Sequence, residues 1–137
     1  MHRADWQRLS RIRLAEAQTL LSASHWSGSY YLAGYAIECG LKSVLARQFR
    51  SATIPNKKLV NDLHTHDLAA LVRLAGLQAS LDAASSADED LAVNWNVVKD
   101  WNEASRYRTW SELEARDIVR AVTDRNHGMM KWIRSVW

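Results

Sequence analysis

Apolar positions recur at helical spacing along most of the chain. Over residues 6 to about 23, Trp6, Leu9, Ile12, Ala17, Leu20 and Leu21 fall on one stripe, with Asp5 placed to cap a first helix. His25-Trp26-Ser27-Gly28 interrupts it. Ser27 or Ser29 then opens a second helix with the stripe Tyr30, Gly34, Ile37, Leu41, Val44 and Leu45, running to about residue 49. Residues 50 to 63 hold the only proline, Pro55, and read as a surface loop. Thr65 caps a short third helix carrying Leu68, Leu71, Val72 and Ala75, which ends near Gly76 to Gln78; a polar connection follows. Ser86-Ala87-Asp88-Glu89 fits a capping box for a fourth helix with Leu91, Trp95, Val98 and Trp101. Beyond the polar SRYRTW segment, Ser111-Glu112-Leu113-Glu114 is a second capping box. It opens a fifth helix, continuous to about residue 136, with Ala115, Ile118, Val119, Val122, Met129, Trp132 and Ile133 facing inward.

Five amphipathic helices on mostly short loops predict an all-α fold, an antiparallel bundle of about five helices. A chain of 137 residues suits one domain, 1–137. One proline and five glycines in a chain rich in alanine and leucine favour helix over sheet. The seven tryptophans supply core or interface area. Cys39 is the only cysteine, which excludes an internal disulfide. With no signal peptide or membrane-length apolar run visible, the expectation is a cytoplasmic protein without a membrane partner. The net charge of +3 identifies no nucleic-acid partner by itself, but arginine clusters at Arg3, Arg8, Arg11 and Arg13 and again along the C-terminal segment. Its planar fork suits phosphate and carboxylate groups.

Glu38 sits within the apolar, aromatic-rich run SYYLAGYAIECGLK. A buried carboxylate needs a partner, and the arginine of Ser105-Arg106-Tyr107 is the expected one, giving a structural ion pair Glu38–Arg106. Lys42, one turn on, either contacts the same carboxylate or reaches solvent, and Tyr107 is expected to pack between helices. His64 and His66 beside Asp62 and Asp67 lack a clear set of further ligands, so no metal site is expected. Burial beside Glu38 disfavours a Cys39 thiolate. There is neither a phosphate-cradling glycine loop nor a Ser-His-Asp pattern.

Three segments together resemble the HEPN family of helical-bundle domains: YYLAGYAIECGLK at residues 30–42, HTHDLAALV at 64–72 and SRYR at 105–108, followed by a helix ending HGMMKWIRSVW. The resemblance covers most of the chain from about residue 15. It implies a HEPN-like bundle, usually a homodimer, often paired with a minimal nucleotidyltransferase as toxin and antitoxin. Many members are metal-independent endoribonucleases that need no cofactor and use an arginine followed four to six residues later by histidine, with two copies meeting across the dimer. Others are non-catalytic modules that bind a nucleotide or a nucleotidyltransferase-type partner, so membership alone does not fix activity.

Arg120 and His127 carry the catalytic spacing, with Ala121 to Asn126 between them. On a continuous helix they would share a face roughly 10 Å apart. Histidine would exchange a proton with the RNA 2′-hydroxyl or leaving oxygen, and arginine would neutralise the growing phosphate charge. Arg116, Lys131 and Arg134, with Thr123 and Asp124, would share that face and contact RNA or nucleotide. Arg120 is followed by Ala121 where the best-known toxin branch has a polar residue. Arg125-Asn126 has the polar follower but meets Met130 in place of the histidine. Catalysis and binding both remain open at this level.

Overall fold

The computed structural model is described over residues 1–49 and 56–137. These contain eight α-helices, one 3₁₀ turn and no strand: α1 (Arg3–Ser22), α2 (Trp26–Ala46), α3 (Lys57–Asp62), α4 (Leu68–Leu74), α5 (Gln78–Ala87), α6 (Glu89–Val98), the 3₁₀ turn (Glu103–Tyr107), α7 (Glu112–Thr123) and α8 (Met129–Val136). The all-α class is as expected, while the helix count exceeds five for three reasons. A short α3 without buried residues lies in the expected loop, of which residues 50–55 fall outside the described residues. The polar connection is the helix α5, which buries only Leu81 and so has little apolar periodicity to read. The expected long final helix is divided into α7 and α8.

The helix ends follow backbone chemistry. Ala23, Ser24 and His25 join α1 to α2, with Ser24 at φ +63 and His25 N–H donating to the Leu20 carbonyl at 2.8 Å. Gly76, at φ +71, closes α4 the same way, with Leu77 N–H donating to Val72 O at 3.0 Å. Both are left-handed caps that satisfy the last carbonyls of a helix. Asp67, rather than Thr65, caps α4 by accepting from Ala70 N–H, while the Thr65 hydroxyl accepts from Asp67 N–H. The Ser111–Glu114 capping box is present at α7. The box expected at Ser86 is not formed, because Ser86 lies inside α5 and Asp88 caps α6 with its own carboxylate.

Helix α2 is the hub, packed against α1, α4, α7, α8 and the 3₁₀ turn. Its small residues permit close approach: a Cβ on Gly34 would lie 2.3 Å from the Trp101 ring, and one on Gly40 would lie 2.9 Å from Ile133. Serines tie it to α1, with Ser10 Oγ donating to Ala36 O and Ser29 Oγ to Ala17 O, each at 2.7 Å. The α1 face that meets α2 is Ser10, Leu14 and Ala17, so Ile12, expected inside, points outward. Trp101, Trp110 and Trp132 are buried in the common apolar cluster, and Trp110 stacks on Tyr30. Cys39 is fully buried; burial, aided by the Glu38 charge, pushes its thiol up to about 12.

Candidate functional site

The break between α7 and α8 decides where the sequence-predicted residues stand. Asp124 Oδ1 accepts the backbone N–H groups of Asn126 and His127, at 2.9 and 2.7 Å, and Gly128 N–H returns to Asp124 O at 3.0 Å. A side chain on Gly128 would bring Cβ within 2.5 Å of that carbonyl, so the turn requires glycine. Asp124, Asn126 and Gly128 are turn-forming types within five residues, and that was the available signal for the break.

Arg120 and His127 therefore do not share one continuous helix. Arg120 lies in the last turn of α7 with its side chain 72% exposed and donates to Asp117 on its own helix at 2.9 Å. His127 lies in the turn, where Asn94 Nδ2 donates to its carbonyl at 2.8 Å. Its Nδ1 lies 2.7 Å from Asp88 Oδ2, and its Nε2 lies 3.6 Å from Asp90 Oδ2. The hydrogen bond with Asp88 raises the pKa of His127 and lowers that of Asp88. The other oxygen of Asp88 accepts the N–H groups of Asp90 and Leu91, so one carboxylate both caps α6 and orients the imidazole.

The expected basic face is divided as well. Arg116 stays with α7, ion-paired to Glu112 at 3.5 Å with its guanidinium over the Trp26 ring. Lys131 and Arg134 instead line a groove of about 380 Å³ between α1 and the α7–α8 junction, together with Arg125, Thr123 and Gln18. Among the described residues, none of these three cations has a carboxylate within ion-pair distance, whereas Arg106, Arg116 and Arg120 each have one. Lys131 Nζ donates only to the Asn126 carbonyl, at 3.1 Å. Asp124 also borders the groove, but its carboxylate is held by the turn's N–H groups, first that of His127, which lower its pKa. The groove thus presents unpaired guanidinium and ammonium donors beside the apolar side chains Leu14 and Met130.

Glu38 is buried as expected, but the pair with Arg106 is replaced by a chain. Lys42 Nζ lies 3.2 Å from Glu38 Oε2 and His66 Nδ1 lies 2.7 Å from Oε1, while His66 Nε2 faces Glu103 at 3.2 Å. Arg106 meets Glu103 at 3.1 Å and donates to the hydroxyl of Tyr107, which is exposed rather than packed between helices. Lys42, one turn along the same helix, provides the nearer cation, and the 3₁₀ turn leaves Arg106 at the surface. Sequence reasoning overlooked Asp88 and Asp90 as partners of His127, because 39 residues separate Asp88 from it.

The fold and site thus define an all-helical bundle with a cation-lined groove and a histidine held between two aspartates. No helix among the described residues is long and apolar enough to cross a membrane. No family model, curated protein or solved structure matches the chain.

Proposed function

We propose that the chain is a HEPN-like module that binds RNA by its phosphate backbone along the groove between α1 and the α7–α8 junction. The observation that carries this reading is the convergence of Arg125, Lys131 and Arg134 on one groove with no acidic partner among the described residues. Cations already neutralised by a neighbouring carboxylate gain less from a phosphate; these three are free to displace counterions from RNA. The test is fluorescence-anisotropy titration of a labelled single-stranded RNA over a salt series. Arg134→Ala and Arg125→Ala should each weaken binding and reduce the salt slope by about 0.7, the single-strand increment per phosphate contact. Arg120→Ala, whose guanidinium is bound to Asp117, should leave the slope unchanged. Equal affinity and slope in the groove variants would reject the reading.

The oriented imidazole favours a second reading, a metal-independent endoribonuclease in which His127 moves the proton and Asp88 fixes the ring. RNA cleavage in chelator, lost in a folded His127→Ala variant, would select it over binding alone. The sequence resemblance adds a homodimer to either reading, a nucleotidyltransferase-type antitoxin to the nuclease and a nucleotidyltransferase-type partner to the binding module.

A further inference from the structure

The aspartates around His127 belong to a different part of the chain from the phosphate groove and have an arrangement of their own. Asp88 and Asp90 stand at the start of α6, and His127 reaches them from the turn between α7 and α8. One donor atom from each lies within 4.8 Å of the other two. We propose that Asp88, Asp90 and His127 form a binding site for a divalent transition-metal ion of the zinc or manganese type.

Three observations carry the proposal. The donor set is one imidazole and two carboxylates, a mixture that suits borderline metals better than calcium or magnesium. Two of the three ligands are already positioned. The Oδ1 atom of Asp88 is anchored by two backbone N–H groups, which leaves Oδ2 turned to the imidazole, and the His127 backbone is held by Asp124 on one side and Asn94 on the other. The site is also short of positive charge: among the described residues neither aspartate has a lysine or arginine within ion-pair distance. Lys131 lines the adjoining hollow, but its ammonium rests on the Asn126 carbonyl.

An ion held at about 2.1 Å from each donor needs donor separations of about 3–3.5 Å. The ion takes the place of the proton between His127 Nδ1 and Asp88 Oδ2, which lie 2.7 Å apart and must part by a few tenths of an ångström, and Asp90, now 3.6 Å from Nε2, swings toward it by a rotamer change that its exposed side chain, bonded to no other group, leaves open. Water completes the coordination.

The test uses the full chain, stripped with chelator and placed in mildly alkaline buffer where imidazole ligands are free of protons. Calorimetric titration with zinc chloride should show one saturable site, weakened at least about tenfold in Asp90→Asn. That substitution removes a ligand without touching the α6 cap or the core. Manganese chloride, followed by NMR, should broaden amide signals of residues 88–91 and 124–128 before any others. Equal zinc binding in wild type and Asp90→Asn, broadening centred on His64 and His66 instead, or no saturable uptake of either ion would each overturn the proposal.

Discussion

Two histidines in this molecule each lie between two carboxylates, and they are not equivalent. His66 stands between Glu38 and Glu103, and each of those acids has a permanent cation of its own: Lys42 on the first and Arg106 on the second. Charge alternates along the chain, so the buried Glu38 is compensated whatever His66 does. His127 stands between Asp88 and Asp90, where, among the described residues, it is the only basic group within ion-pair distance. The first cluster joins α2 to the segments packed on it. The second lies at a surface junction with negative charge left over. The same motif thus serves packing where it is neutralised and leaves a capacity for ligand where it is not.

The largest effect should come from removing the buried member of the first cluster. Glu38→Ala strands Lys42, which is 8% exposed, without its carboxylate, and denaturant unfolding should show a loss of about 3–5 kcal/mol. A loss below about 1 kcal/mol would mean that the buried chain of charges contributes little. At the second region, Gly128→Ala forces a Cβ against the Asp124 and Val122 carbonyls. Gly128 is the N-cap of α8, a position with extended backbone where alanine adds no helix propensity, and thermal melts should report a cost of about 1–3 kcal/mol.

The smallest effect, and the one that isolates charge, is Asp88→Asn in chelator, because asparagine caps a helix as well as aspartate does. The raised pKa of His127 makes its contribution complete below the unfolded value of about 6.5 and lost as pH climbs through the folded value. The lowered pKa of Asp88 makes its contribution complete above about 3.9 and lost as pH falls through the folded value. The Tm gap between wild type and Asp88→Asn should therefore be widest between about pH 4 and 6.5 and narrow on either side. Asp90 and Asp124, which also face His127, and the nearby Lys131 are unchanged in this comparison. A gap independent of pH would mean that the pair carries no charge coupling.

The same contrast explains what could be read in advance. The inward positions of α2, α4, α7 and α8 follow from period alone, since Ile37, Leu71, Ile118 and Ile133 all lie in the apolar cluster. On α1 the period misleads: Ile12 is exposed and Ser10 buried, because the serine hydroxyl has a carbonyl of α2 to bond. Glu38 is legible as a buried acid, but its partner is not, since several cations could satisfy it and tertiary geometry selects Lys42 and His66. The α7–α8 turn was signalled by Asp124 and Gly128, and the unbroken apolar stripe across it hid the signal. Asp88 and His127 meet only after folding, and no local pattern joins them. Lys131 and Arg134, by contrast, remain neighbours in one groove because they belong to one short helix.

Cys39 provides a further consequence. It is the sole thiol of the chain, wholly enclosed, with its proton held up to about 12. A thiol reagent at neutral pH meets almost no reactive sulfur in the closed molecule, whereas an unfolded cysteine titrates near 8.5 and reacts readily. The rate of labelling therefore reports how open the bundle is around α2, with no engineered probe. When opening and closing are fast relative to modification, slower labelling at a saturating ligand concentration would reveal which binding events hold the helices together.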